Sequence, residues 1–241
     1  MKAVIFDCDG VLVDTERDGH RVAFNRAFEA MGIDAHWDVP TYAGLLLIAG
    51  GKERMRHYFE QRGWPAGRPE TQDELIVALH RKKTEIFAEI IASGELPLRP
   101  GIARIVDEAI AAGVRLGVCT TSNPKAIDGV LDLLGAERKA AFDFVHAGDV
   151  VSRKKPDPEI YELAKQSLGL PASECIVIED SRNGLLAATG AGLACLITTS
   201  TYTAEEDFSE AADIVPELGD PPAVRITLRD LARLASEHAP W

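Results

Sequence analysis

A chain of 241 residues with 46% hydrophobic content is long enough to build a sizeable core domain with an insertion, and its composition argues against disorder. Its net charge of −12 argues against a general nucleic-acid binder, because a phosphate backbone demands a broad basic surface. A small anionic substrate stays open, provided that local Lys and Arg clusters receive it. No apolar stretch has the length of a membrane span, and the chain opens on a strand rather than on a basic leader, so the cytoplasm is the expected compartment, with no membrane partner. Cys8, Cys119, Cys175 and Cys195 form no Cys-x-x-Cys pair and lie in or beside apolar runs, which predicts buried free thiols.

In chain order, Ala3-Val4-Ile5-Phe6 is too short for a helix and reads as a buried strand. It ends abruptly in two carboxylates, Asp7 and Asp9, with Gly10 permitting a sharp turn. After Asp14-Thr15 the pattern becomes helical: Phe24, Ala27, Phe28 and Met31 recur at helical spacing and Gly32 stops the run. Helices are predicted next over residues 52–62, ended by Gly63-Trp64-Pro65, and over residues 71–91. No strand is expected between 15 and 95, so residues 15–96 read as a helical module inserted between residues 1–14 and 97–241. From Gly101 onward strands and helices alternate, with strands expected at 114–119, 142–147, 175–178 and 194–198, a closing edge at Ile214-Val215, and a last helix marked by Leu228, Leu231 and Leu234. That alternation predicts an α/β fold with a doubly wound, Rossmann-like parallel sheet.

In such a sheet ligands bind beyond the carboxyl ends of the strands, and three of these strands end in complementary polar residues. Asp7 and Asp9 end the first, Thr120-Thr121-Ser122-Asn123 the second, and Glu179-Asp180-Ser181 a third. Converging carboxylates, hydroxyls and amides suit a divalent cation and a phosphoryl group, and magnesium commonly takes one or two carboxylates together with phosphate and water. A cation of the protein's own comes from Lys154-Lys155-Pro156-Asp157-Pro158, where flanking prolines restrain the loop and Lys155 is the better candidate.

Asp7-Cys8-Asp9-Gly10-Val11, the Thr120 strand end, Lys155-Pro156 and Glu179-Asp180-Ser181-x-x-Gly184, in this order, resemble the four motifs of the haloacid dehalogenase superfamily. The helical insertion resembles that superfamily's cap. The resemblance implies a phosphoric monoester hydrolase in which Asp7 is the nucleophile, forming an aspartyl phosphate, while Asp9 protonates the leaving oxygen and then activates water. It implies Mg2+ held by the Asp7 side chain, the Asp9 backbone carbonyl and Asp180, with Glu179 either a further ligand or a supporting partner. Thr120, Thr121 and Ser122 would bind phosphoryl oxygens and Lys155 would offset their charge.

Within the insertion, Lys52, Arg54, Arg81 and Lys83 are candidates for a second anion site. Gly50-Gly51-Lys52 is not a P-loop, because Leu46 stands where the first glycine belongs and Glu53 replaces the hydroxyl, but it can form a backbone nest toward an anion. Two anion sites suit a sugar with two phosphates. These segments, with Glu16, His20, Trp37-Asp38, Tyr202-Thr203 and Phe208, resemble the Rubisco-associated xylulose-1,5-bisphosphate phosphatases, relatives of β-phosphoglucomutase. Members of that family of the Calvin cycle hydrolyse xylulose 1,5-bisphosphate, a Rubisco inhibitor, to xylulose 5-phosphate. The implied substrate residues are Glu16, His20, Tyr42, Gly50, Gly51, Lys52, Arg54, Lys83 and Asn123. A monomer acting on a small phosphorylated sugar is expected. No local signal separates hydrolysis from phosphoryl return to the sugar, so a mutase stays open, as does a noncatalytic sugar-phosphate binding module.

Overall fold

The computed structural model describes residues 1–48, 50–67 and 70–238. Contacts divide the chain into two compact units, Met1–Asp14 with Leu96–Trp241, and Thr15–Glu95.

The first unit is built on a six-stranded parallel sheet: β1 (Ala3–Phe6), β2 (Arg115–Cys119), β3 (Phe142–His146), β4 (Cys175–Glu179), β5 (Ala194–Thr198) and β6 (Asp213–Val215), in the spatial order β3-β2-β1-β4-β5-β6. β1, β4 and β5 are buried along their whole length, which is why they read as continuous apolar runs rather than alternating ones. β3 is an edge and alternates, with Asp143 and Val145 outward. Gly117 in β2 is required by that edge, since a Cβ there would collide with the Phe144 ring.

The order reverses beside β1, which pairs with β2 on one side and β4 on the other. In doubly wound sheets this switch point opens the ligand crevice. The registers Phe6↔Val118 and Phe6↔Ile178 put Asp7, Cys119 and Glu179 at one level at the strand ends. An added hydrogen bond from Asp7 N to Ile178 O, 2.9 Å, carries the ladder one residue further.

Helices α5 (Ile102–Ala112), α6 (Pro124–Asp132), α7 (Ala136–Lys139), α8 (Glu159–Leu168), α9 (Arg182–Gly190) and α10 (Leu228–Glu237) belong to this unit; of the insertion's helices, α1 (Arg21–Ala30), α2 (Val39–Leu46), α3 (Gly51–Arg62) and α4 (Gln72–Ser93) form the second. The sequence pattern predicts a helix over 124–134, and α6 lies there; the short α7 that follows, after Gly135 leaves the helical region with a φ of 84°, is not anticipated. A capping box of Thr227 and Asp230 starts α10, which buries Leu231, Leu234 and Ala235.

The second unit contains no strand among its described residues, as the pattern predicts. The change after Asp14 begins with a π-helical stretch, Thr15–His20, before α1. α2 is not anticipated by the sequence reading. It is eight residues long, it buries only Tyr42 and Leu45, and Pro40 in its first turn looks like a breaker until Asp38 is seen to cap it by accepting from Thr41 N. Phe24, Phe28, Trp37, Tyr42 and Phe59 pack ring on ring to form this unit's core.

Candidate active site

Three carboxylates meet at the switch point. Asp7, Glu179 and Asp180 are buried, and each offers a ligand atom within 4.8 Å of the others, a group able to hold a metal ion. Glycines make the approach possible. A Cβ on Gly10 would fall on the Asp180 carboxylate, and one on Gly184 would fall on that of Glu179.

Lys155 enters this group from the loop before α8. Its Nζ donates to Asp7 Oδ1 at 2.7 Å, to Glu179 Oε1 at 2.5 Å and to the Cys119 carbonyl at 2.9 Å. Burial works against its charge, yet the two carboxylates bonded to it raise its pKa above the ordinary lysine value. The Asp7 carboxyl is pushed well up by burial; Lys155 counters this, while Glu179, Asp180 and Asp9 reinforce it. Asp180 is pushed up to about 8 by burial and by Glu179. Carboxylates crowded and dehydrated in this way remain ionised together only when a cation joins them.

Lys154 points elsewhere, with its ammonium on Gly148 O and Asp149. Glu179 has its oxygens committed to the protein. Oε1 accepts from Lys155 and from Tyr161 OH at 2.7 Å, and Oε2 from Asp180 N at 3.1 Å and Ser181 Oγ at 3.3 Å. Of the two roles the sequence leaves open, the geometry fits a supporting partner. Tyr161 is missed by the sequence reading. The available signal is its place among Ile160, Ala164 and Leu168 on the buried face of α8, where a phenol needs a partner.

On the β2 side, Thr120 is buried and its Oγ1 accepts from Ser122 N at 3.1 Å. Ser122 Oγ donates to Asp9 Oδ2, so this hydroxyl engages the second aspartate. Thr121 is exposed, and Asn123 caps α6 by accepting from Lys125 N at 2.9 Å. The four thiols are free and buried; burial raises those of Cys8 and Cys119, keeping them protonated.

In the helical unit the structure links most of the predicted residues. Tyr42 OH donates to Glu16 Oε2 at 2.7 Å and accepts from Arg54 Nη1 at 3.3 Å, while Arg54 Nε donates to Ile48 O at 2.8 Å. Lys83 Nζ lies 2.8 Å from His20 Nδ1, about 5 Å above the Phe24 and Phe87 rings, and His20 stacks on Phe87. Burial drives the His20 pKa well down, with Lys83 and Arg54 adding to the effect, so a neutral imidazole accepts from the ammonium. Burial lowers Lys83 to about 8, with Glu16 opposing and Arg54 assisting.

Two of the candidate features stand apart from this cluster. Arg81 projects from an exposed position of α4 and does not join the cluster among the described contacts. It stands one residue, roughly 100° of helix, from the face carrying His80 and Lys83. At Gly50-Gly51 the Glu53 carboxylate sits where a Gly50 Cβ would be, beside the first turn of α3. Lys52 is exposed beside it.

A model of the haloacid dehalogenase-like hydrolases matches residues 1–192. The chain belongs to the haloacid dehalogenase-like hydrolases. It is 50% identical to a CBBY-like protein of Arabidopsis thaliana over 94% of this chain and 72% of that one. It is 42% identical to the CbbY protein of Cupriavidus necator, covering 99% and 97%. Among solved structures, a mutant CbbY from Rhodobacter sphaeroides in complex with xylulose-(1,5)bisphosphate is 40% identical, covers 96% of this chain and 99% of its own, and superposes with a TM-score of 0.72. With relatives of this kind along its length, the chain is an enzyme, a phosphatase-type hydrolase with the α/β core of its family.

Proposed function

We propose that the protein is a magnesium-dependent sugar-bisphosphate phosphatase whose substrate is xylulose 1,5-bisphosphate, converted to xylulose 5-phosphate through an aspartyl phosphate. The observation that carries the reading is the buried trio of Asp7, Glu179 and Asp180 with Lys155 bonded to the first two. The donor set is all hard oxygen, and with Glu179 occupied by four protein donors it leaves Asp7 and Asp180 for the ion, a number that suits magnesium. The Asp9 backbone carbonyl completes the protein's share. Magnesium, when bound, supplies a Lewis acid against the phosphoryl oxygens.

The chain's own groups do the rest. Asp7 attacks phosphorus, breaking the bond to the sugar oxygen as the carboxylate oxygen bonds to phosphorus. Asp9 delivers a proton to the departing sugar oxygen, then takes one from the water that attacks the aspartyl phosphate and releases inorganic phosphate. Ser122 holds the Asp9 carboxylate for that exchange. Thr120 and the amide after it receive phosphoryl oxygens, and Lys155 offsets their charge. Glu179 and Tyr161 hold Lys155 in place.

The choice of a bisphosphate is supported by Arg54, Lys83 and His20, a second group of cationic and donor side chains clustered in the helical unit. It is also supported by the CbbY relative that binds xylulose-(1,5)bisphosphate. A panel of phosphorylated sugars, assayed for phosphate release with and without Mg2+, tests the proposal. Rapid magnesium-dependent release from xylulose 1,5-bisphosphate is expected. No release from it alongside fast turnover of a sugar monophosphate would overturn the substrate assignment, and interconversion of glucose 1-phosphate and glucose 6-phosphate without net phosphate release would identify a mutase instead.

A further inference from the structure

Two features near the site have no part in the chemistry above: Arg99, and the run Thr198-Thr199-Ser200-Thr201 where β5 ends. Arg99 lies in the segment that returns from the helical insertion, four residues after Glu95. Its guanidinium reaches three separate stretches of the core unit. Nη1 donates to the Gly10 carbonyl, to Thr198 O at 3.1 Å and to Thr198 Oγ1 at 3.3 Å. Nη2 donates to Thr199 O at 2.8 Å and Pro216 O at 2.5 Å, and the Arg99 backbone N–H donates to Leu12 O at 2.8 Å. A planar fork with donors in fixed directions sets the relative position of everything it holds.

What it holds is the turn that carries the second aspartate. The peptide joining Asp9 to Gly10 is pinned at its nitrogen, which donates to Val13 O at 2.7 Å, and the next peptide is pinned at its oxygen by Arg99. With both peptides flanking Gly10 fixed, the direction of the Asp9 carbonyl is fixed as well. The opposite side of the same turn is closed by the Asp180 carboxylate, packed into the space a Cβ on Gly10 would occupy. The hydroxyl run steadies the surroundings: Ser200 N donates to Thr203 Oγ1 at 2.9 Å, and Thr201 Oγ1 donates to Asp14 Oδ2 at 2.5 Å.

We propose that Arg99 is a positioning residue for the metal-holding corner of the site, fixing the Gly10 turn so that the Asp9 carbonyl and the Asp180 carboxylate keep the separation a divalent ion needs. This rests on the metal reading given above. An arginine that donates to carbonyls on three separate stretches orders backbone, and supporting partners of this kind typically govern metal affinity by about 10–100-fold.

The test is direct Mn2+ binding to the full chain, followed by electron paramagnetic resonance, for wild type, Arg99→Lys, Arg99→Met and Asp180→Asn. Arg99→Lys keeps a charge and loses the fork, so about tenfold weaker Mn2+ binding is expected, with Arg99→Met weaker still. The Mg2+ concentration giving half-maximal phosphate release should shift by the same factor, with KM for the sugar phosphate unchanged at saturating Mg2+. A purely structural staple would lower the melting temperature without moving metal affinity. Native Mn2+ affinity in Arg99→Lys, while Asp180→Asn loses binding, would overturn the proposal and leave the metal reading standing. Native affinity in Asp180→Asn would remove the metal reading and this proposal with it. Should Arg99→Met not fold, the lysine variant decides alone.

Discussion

Lys155 and Lys83 are both largely buried lysines, and their surroundings push them in opposite directions. Lys155 sits between two carboxylates, which hold its charge more firmly than water would. Lys83 has a neutral imidazole and two aromatic faces for neighbours, and burial brings it down to about 8. The first lysine's charge is matched within the protein. The second is under-compensated, with Glu16 alone pulling its pKa upward, which fits the proposed role of receiving an anion. A core that does chemistry on one phosphate and a helical unit that recognises another would need these two behaviours.

The largest effect expected follows from removing the acid that Lys155 and the proposed metal site share. Asp7→Asn should lower turnover by about 10⁴-fold or more, since a lost nucleophile leaves only the contribution of binding and charge stabilisation. Ligand binding, read by calorimetry, should persist. Lys155 retains Glu179 as a partner in that variant, so the fold should stand. Wild-type turnover in Asp7→Asn would end the proposed chemistry.

Next in size is stability, where the two lysines should part. Lys155→Met strands Asp7 and Glu179 against each other in a buried site, and breaking a buried pair in this way costs about 3–5 kcal/mol. Lys83→Met removes a charge whose burial is unfavourable at neutral pH and replaces its stem with one that packs on the same rings. Its melting temperature at pH 7 should equal or exceed that of wild type. Equal losses in the two variants would erase the contrast.

How far each region can be read from sequence follows from the same difference. Asp7, Thr120 and Glu179-Asp180 are positioned by strand ends, and parallel register converts an apolar run followed by a polar residue into a place in space. The α/β pattern, the helical insertion and the convergence of these ends were therefore all legible. Lys155 needed only a restrained loop. In the helical unit position depends on long side chains lying across aromatic rings, and helix phase decides who takes part: Lys83 points inward and Arg81, two residues earlier, does not. At Gly50-Gly51 a local side chain, Glu53, lies against the helix start, which no spacing rule announces. Tyr161 and Arg99 act through other residues, and the sequence carries no spacing rule that announces a supporting hydrogen bond.

The smallest effect, and the sharpest on the comparison, is in pH. Lys83 in the free protein loses its proton near pH 8, so its share in holding a distal phosphate should fade above that value, and KM for the bisphosphate should rise along a limb beginning near pH 8. The stability sign runs the other way. Its folded pKa is depressed from the ordinary 10.5, so between about 8 and 10.5 the unfolded chain binds more protons, and stability relative to Lys83→Met should increase with pH across that window. For Lys155 the folded pKa is raised, so its stabilising contribution is complete below 10.5 and is lost only as pH climbs beyond. Lys83→Arg, with a group that stays charged, should shift the KM limb out of the measurable range. A sugar with a single, reacting phosphate should show no limb of this origin, because it offers Lys83 nothing to hold. If KM for the monophosphate and the bisphosphate climbs in parallel above pH 8, and Lys83→Arg leaves both curves where they were, the titrating group lies elsewhere and the helical unit's cations do not recognise the second phosphate.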